Sequence, residues 1–591
     1  MDYWLDILNM TLIFSVFAMS LNLLMGYAGQ VSVAHAAFGA IGGYTAAYVS
    51  AHTGLGFWEG LALGALAAGA VGFVVSLPAL RLNPEYLILL TIAVSSIVLA
   101  VVGAVSELGG TYGMVADKPA NLGAWLGGRL QFPHQWTPFL LVATVLVFGI
   151  CWRFGESPWG RILRGIRDDE IAVRALGRDV FAFKSIMFTL TAAMAGLAGV
   201  LLFYYNQLAS PSVYGFNVSL QIFAMTVFGG LGNLFGSILG AAVLQLLQPV
   251  LEMTIRIDPD QAFLIQLVVF GVGLAVMMRV RPQGLIPEGA SLLGKRKREE
   301  GVKVAPESPR TSTPSAAAAA SRLMHEPPLV LEVCGLNKSF GGIVACRDLN
   351  LYLKQGRIAA LVGPNGAGKT TVFNLLTGAI SAASGSVRLR GHEILGLGPD
   401  RIARLGMARS FQNLRLFPRL SALDNVMLGC REPSDRFWRW PPGAKGGENL
   451  VDLFLLPGIT RAVERRNRER AYEWLRSVGL ANVAASPAGS LSFGQQKLVS
   501  LARLLGADAD VLLLDEPASG VDSRWVESIL DLVVRMRNDG KTICIVEHSL
   551  HVVERLADTV FFMELGHITA EGRVSDLTRN PRLAEVYFGT L

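Results

Sequence analysis

A chain of 591 residues is longer than one hydrophobic core normally supports, and 52% apolar residues with a mean hydropathy of +0.43 exclude an entirely water-soluble enzyme. The net charge of +6 calls for no nucleic acid, because basic segments beside apolar runs account for much of it. Five cysteines, Cys151, Cys334, Cys346, Cys430 and Cys544, show no C-x-x-C spacing, which argues for free thiols and against a metal cluster.

The apolar excess belongs to the first half. Ile7–Met25, Gly60–Leu80, Leu87–Val105, Phe139–Trp152, Ser185–Tyr205, Leu220–Leu251 and Phe263–Met278 are long runs with few charges, several near the length that crosses a bilayer. They predict an all-α polytopic membrane domain over residues 1–290 with about nine spans. Leu220–Leu251 is short for two spans, and Gly229-Gly230-Leu231-Gly232-Asn233 at its centre predicts a break and a tight or re-entrant hairpin. The start, Met1-Asp2-Tyr3-Trp4-Leu5-Asp6, is acidic where a signal peptide is basic, and it is expected on the outer side. Arg153, Arg161, Arg164, Arg167, Arg174, Arg178 and Lys184 mark a cytoplasmic side, as does Lys295-Arg296-Lys297-Arg298.

Two stretches of this half carry more than hydrophobicity. Leu21–Gly39 interrupts an apolar run with Gly26, Gly29, Gln30, Ser32 and His35, a break tolerated at membrane depth only where it is buried in protein or lines a cavity. Gln30 and His35 are the pathway candidates, with hydrogen bonding between packed helices as the plain alternative. Asp168-Asp169-Glu170-Ile171-Ala172-Val173-Arg174-Ala175-Leu176-Gly177 starts with acids, ends with glycine and predicts a short capped helix with an apolar face at Ile171, Ala172, Ala175 and Leu176.

Residues 291–328, with KRKREE, several prolines and five alanines, read as a flexible cytoplasmic linker with a mean reach of roughly 30–35 Å. Its basic start suits anionic membrane lipid.

An α/β domain over 329–591 follows. Leu361–Thr371 runs from an apolar strand into Gly363-Pro364-Asn365-Gly366-Ala367-Gly368-Lys369-Thr370-Thr371, a phosphate cradle. Its backbone N–H groups face a β-phosphate, Lys369 reaches the β/γ oxygens and Thr370 holds Mg²⁺. Val511–Leu514 reads as a strand buried on both faces, with Asp515 at its carboxyl end to bind Mg²⁺ and Glu516 to polarise water. Ser492-Phe493-Gly494-Gln495 opens a helix suited to a γ-phosphate, while Gln412 and His548 follow strands as single polar residues. The five motifs together predict a nucleoside triphosphate site with Mg²⁺, and their resemblance to the ABC transporter ATPases implies that the nucleotide is ATP and that Gln412 is a third metal-site candidate.

From about Leu331 onward these motifs resemble the ABC transporter ATPases. The resemblance implies that Ser492, Gly494 and Gln495 complete a partner subunit's site, that Phe340 stacks adenine in place of the commoner tyrosine, and that Asp522 crosses the dimer seam. The first 285 residues resemble permease subunits of branched-chain amino acid ABC importers through Gly26–Ala47, Val227–Leu244 and Arg281-Pro282-Gln283-Gly284-Leu285. Together they imply an ATP-driven importer subunit in a bacterial inner membrane, with its ATPase domain cytoplasmic. Implied partners are a second permease and a second ATPase, or a second copy of the chain, and a periplasmic substrate-binding protein. The solute class is branched-chain amino acids or related small polar solutes. Asp168–Gly177 resembles the coupling helix of such permeases, which seats beside the Gln412 loop. Rival readings are a homodimeric exporter, against which the short-looped, glycine-rich membrane half argues, and an ATP-gated channel or sensor, against which Glu516 argues.

Overall fold

The computed structural model describes residues 2–116, 119–122, 128–255, 259–289, 327–430, 450–454 and 457–575. The predicted linker and the KRKREE run therefore lie outside the described residues, apart from Pro327 and Pro328. The chain divides into two units: Met1–Arg167 with Phe181–Arg298, and Asp168–Val180 with Glu299–Leu591.

The first unit is helical. Its elements are α1 (Asp2–Asn22), a π-helical turn (Leu23–Tyr27), α2 (His35–His52), α3 (Phe57–Ala79), α4 (Pro84–Ala104), α5 (Pro133–Gly155) and α6 (Pro158–Asp168). After α7 (Glu170–Ala175), which lies in the second unit, come α8 (Val180–Asn206), α9 (Phe216–Gly229), α10 (Leu234–Ile255) and α11 (Pro259–Val280). Among the described residues six helices are long and apolar enough to cross a membrane: Asp2–Tyr27, Phe57–Ala79, Glu85–Ala104, Pro133–Gly155, Val180–Asn206 and Leu234–Met253. The sequence leads to about nine; beyond these six, the described residues hold two shorter apolar helices, Phe216–Gly229 and Val268–Val280. α9, at 14 residues, rises only about 21 Å, and α2 begins and ends in histidine.

Small residues let these helices approach backbone to backbone. A Cβ at Gly42 would lie 2.2 Å from the Gly196 carbonyl oxygen, and one at Gly199 would lie 1.9 Å from that of Gly39, so α2 and α8 cross where neither can carry a side chain. The break predicted at Gly229–Asn233 is present, separating α9 from α10. It is tied to the end of α1 by Asn22, whose amide donates to the carbonyls of Gly230 (3.1 Å) and Asn233 (2.9 Å) and to Ser237 Oγ (2.7 Å), while Gly232 N donates to Asn22 Oδ1 (2.8 Å). The Arg281–Leu285 motif closes on the same break, with Leu285 N and Ile286 N donating to the carbonyls of Phe228 and Gly229. Glu288 then pairs with Arg164 (3.3 Å) and Arg167 (2.9 Å) of α6.

The second unit is α/β. Its strands are β1 (Leu329–Phe340), β2 (Ile343–Lys354), β3 (Ile358–Val362), β4 (Ser384–Leu389), β5 (His392–Glu393), β6 (Met407–Arg409), β7 (Val511–Asp515), β8 (Thr542–Val546), β9 (Thr559–Glu564) and β10 (His567–Gly572). One sheet has the order β6-β7-β8-β3-β9-β10, parallel except for its last pair, and an antiparallel sheet has the order β2-β1-β4-β5. Every residue of β3, β7 and β8 is buried, as their unbroken apolar sequences require of central parallel strands. The carboxyl ends of β3, β7 and β8 lie side by side, through the pairings Val546 with Leu361 and with Asp515.

Candidate functional site

The glycine-rich segment connects β3 to α12 (Lys369–Leu376), whose N-cap is Gly368 in a left-handed conformation, φ 105°. No side chain fits there, since a Cβ would sit 2.3 Å from the Ala345 carbonyl oxygen. Gly363 is equally closed, 2.0 Å from the Met563 carbonyl oxygen, whereas Gly366 borders open space. Asn365, Gly366 and Thr370 are exposed, Pro364 and Thr371 half-buried and Ala367 buried, so the outer rim of the cradle faces solvent. Lys369 is buried and donates to the carbonyls of Gly363 (2.7 Å) and Pro364 (2.8 Å). Burial lowers its pKa below the ordinary lysine value, opposed by the charges of Glu516 and Asp515.

Asp515 ends β7 and Glu516 follows it. Asp515 is 2% exposed and its Oδ2 accepts from Arg409 Nη2 at 2.9 Å, while Oδ1 has no partner among the described residues. Burial raises its pKa and Arg409 pulls it back down. Glu516 sits at φ 47°, a left-handed conformation that costs a non-glycine residue about 1–3 kcal/mol and concentrates at functional sites. Its N–H donates to the Val546 carbonyl (2.9 Å), and its Oε1 lies 3.1 Å from His548 Nε2, which joins the two residues singled out on neighbouring strands. Gln412 lies exposed in the loop after β6, whose Ser410 Oγ accepts from Asp515 N at 2.9 Å. No hydrogen bond links Gln412 to Asp515 among the described residues.

Ser492 caps α16 (Phe493–Gly506) reciprocally with Gln495, and Gly494 leaves room for Trp525, 2.6 Å from where a Cβ would be. No hydrogen bond joins Ser492, Gly494 or Gln495 to the glycine-rich loop of the same chain among the described residues. Phe340, half exposed at the end of β1, has Lys338 Nζ 5.1 Å from its ring centroid. Asp522 is the exposed N-cap residue of α17 (Ser523–Asn538).

The short helix within residues 168–177 is α7 (Glu170–Ala175), capped by Asp169, whose side chain accepts from Ala172 N at 3.0 Å. Its apolar face differs from the expected one. Ala172, Val173 and Leu176 are buried, whereas Ile171 is 48% exposed and Ala175 intermediate. On six residues, the surface that covers the helix decides burial, and here that surface takes Val173. Asp169 accepts from Arg415 Nη1 through both oxygens (3.1 and 2.9 Å), and Arg178 Nη1 donates to the Leu428 carbonyl (2.8 Å), Leu428 being in α14 (Ala422–Gly429). An open cleft of about 490 Å³ brings together Asp169, Asn413 and Arg415 of the Gln412 loop, and Phe493.

Three residues here escape sequence reasoning. Arg409, buried against Asp515 and Asn374, is signalled only by an arginine ending an apolar strand. Lys497, a buried lysine in an apolar helix, donates to the carbonyls of Glu516 (2.7 Å) and Ser519 (2.6 Å) and so holds the turn after β7. Arg415 pairs with Asp169 across 246 positions of sequence, and no local pattern marks it.

Comparison with known proteins agrees with both halves. Residues 3–277 match the family of branched-chain amino acid transport system permease components, and residues 346–519 match the ABC transporter family. The high-affinity branched-chain amino acid transport ATP-binding protein BraF of Pseudomonas aeruginosa is 35% identical over 262 residues, 44% of this chain and 98% of that protein. LivG of Escherichia coli, described in the same words, is 33% identical over 261 residues, again 44% and 98%. A crystal structure of a nucleotide-free ATP-binding cassette from an ABC transporter matches at 28% identity and a TM-score of 0.38, covering 44% of this chain and all of that one.

Proposed function

Because the chain belongs to the branched-chain amino acid ABC transporter family, with permease and ATPase on one polypeptide, we propose that it is an ATP-driven importer subunit for branched-chain amino acids or closely related small polar solutes. The observation that carries this reading is the place of Asp168–Val180: a stretch inside the permease-matching region packs as part of the ATPase unit. That is what a coupling element does. The reading takes residues 1–290 as the permease, 291–328 as the tether and 329–591 as the ATPase, with the nine helices α1–α5 and α8–α11 as the spans of a bacterial inner-membrane protein.

In this reading the cradle from Gly363 to Thr371 binds the ATP phosphates, and Lys369 turns from its loop carbonyls to the β/γ oxygens. Phe340 stacks the adenine. The donor set fits Mg²⁺: Asp515 Oδ1 is buried and unpartnered, Thr370 is exposed at the start of α12, and both offer hard oxygen, with Gln412 as a further ligand. Bound there, the ion would neutralise charge developing on the phosphates. Glu516 accepts a proton from the attacking water, and His548, 3.1 Å away, holds the carboxylate in place. Ser492, Gly494, Gln495 and Asp522 serve the site of an opposing ATPase, so turnover requires a second ATPase, from a partner or a second copy. A separate extracytoplasmic binding protein delivers the solute.

The test is transport. Vesicles containing the chain, co-purified with the products of its neighbouring genes, should accumulate labelled leucine only with ATP inside the compartment that faces the ATPase domain and with the loaded binding protein on the opposite side. ATP turnover without entry of any amino acid or related small polar solute would overturn the reading.

A further inference from the structure

The break between α1 and α2 contains two polar side chains that nothing in the ATPase reading uses. Gln30 and His35 are 2% and 1% exposed, yet among the described residues neither amide atom of Gln30 and neither ring nitrogen of His35 has a hydrogen-bond partner. Much of the backbone around them is accounted for. Gly29 N and Gln30 N donate to the carbonyls of Met25 and Leu24, both at 3.1 Å. Val33 N donates to Thr91 Oγ1 (3.2 Å), the Val33 carbonyl accepts from Ser95 Oγ (3.3 Å), and Ala34 N donates to Ser32 Oγ (3.3 Å). The segment is thus pinned to α4, and what remains unmatched is the hydrogen-bonding capacity of two side chains. A buried amide and imidazole without partners are costly, so a fold that keeps both leaves their satisfaction to something else. A third feature lies in the same segment: His35 opens α2, an 18-residue helix whose N-cap, Ala34, supplies no side-chain acceptor to the first-turn N–H groups.

We propose that this break is a solute-binding station and that its ligand group is the carboxylate of an amino-acid solute, taken by the Gln30 amide, the His35 ring N–H and the amino end of α2. The proposal rests on the importer reading above and adds where in the permease the solute is held. Donors and a positive helix end suit an anion better than an ammonium group or an apolar side chain. The site also touches the moving parts. Arg167 donates to the Gly26 carbonyl, its side chain fills the space beside Gly29, and the next residue, Asp168, begins the segment that packs with the ATPase. A shift of that segment therefore pulls on the backbone that carries Gln30.

The experiment uses the full chain in its purified complex, with Gln30→Leu and His35→Leu separately and together, and His35→Gln as the variant that keeps a donor. Two quantities are read: the thermal midpoint of the complex, and labelled leucine delivered per ATP hydrolysed. A binding role predicts an unchanged or raised midpoint in the leucine variants, because unpartnered buried polar groups have been removed, with delivery per ATP falling at least tenfold and His35→Gln recovering part of it. Unchanged delivery per ATP in the double variant overturns the proposal. So does a lowered midpoint with ATP turnover lost in proportion, which is the signature of a packing role. A wild-type complex that hydrolyses ATP but moves no amino acid refutes the importer reading instead, and the carboxylate assignment with it.

Discussion

Replacing Asp169 by Asn keeps the cap on α7, because the amide oxygen still accepts from Ala172 N, but removes the charge facing Arg415. Both Asp169 oxygens lie within 3.1 Å of Arg415 Nη1, and the two side chains are 19% and 33% exposed. A hydrogen bond between charged groups is worth about 1.5–3 kcal/mol when sheltered and an exposed ion pair about 0–1. Intermediate exposure puts this pair at about 1–2 kcal/mol, roughly a 5–30-fold change in an equilibrium constant. Asp169→Ala loses the cap as well, about a further 1 kcal/mol. Hydrogen exchange at the amides of Ala172, Val173 and Leu176 in the intact protein reads the seating of α7 directly. We expect exchange to quicken roughly 5–30-fold in Asp169→Asn and further in Asp169→Ala, with Arg415→Met adding little to Asp169→Asn because both remove the same contact. Unchanged exchange in Asp169→Asn, or fully additive effects with Arg415→Met, would refute the claim that this pair holds the helix.

Glu516→Gln should retain ATP binding while turnover in the assembled complex slows by about 10²–10⁴, and near wild-type hydrolysis would remove Glu516 from the role of base. Lys369→Ala should abolish nucleotide binding in an equilibrium titration of the full chain, since the backbone dipoles of the cradle do not replace a mobile ammonium. On α7, Leu176→Asp places a charge in a covered contact, at a cost of several kcal/mol, and should end leucine uptake at normal membrane abundance. Ile171→Asp, on the exposed side, should leave uptake within about twofold. Equal loss in both variants would mean that the covered face of the helix has been misidentified.

What the sequence made legible follows from how local the physics is. The cradle between β3 and α12 was readable because a left-handed N-cap at Gly368 and a closed approach at Gly363 demand glycine where they occur. The fully buried strands β3, β7 and β8 were readable because an apolar run of about five residues has few other places to go in an α/β protein. The break before α10 was readable because four residues rich in glycine cannot continue a helix in lipid unaided. Contacts set by two distant surfaces were not readable. Arg409 reaches Asp515 over 106 positions and Arg415 reaches Asp169 over 246, and nothing at either end encodes the other. The apolar face of α7 was assigned on spacing that six residues do not fix, so Ile171 was placed inside and Val173 overlooked. Hydropathy alone does not set helix length: the glycine break, itself legible, ends α9 at 14 residues.

The placement of Asp168–Val180 has a consequence for how such a machine is encoded. This thirteen-residue stretch is covalently continuous at both ends with permease helices, α6 before it and α8 after it, and belongs by packing to the ATPase. The polypeptide therefore passes between the two units at 167/168, at 180/181 and again through residues 290–326. A continuous chain fixes the two units at one copy each, at an effective concentration of roughly millimolar. Joined on one polypeptide, each unit is made with the other, and their ratio no longer depends on two separate translation events.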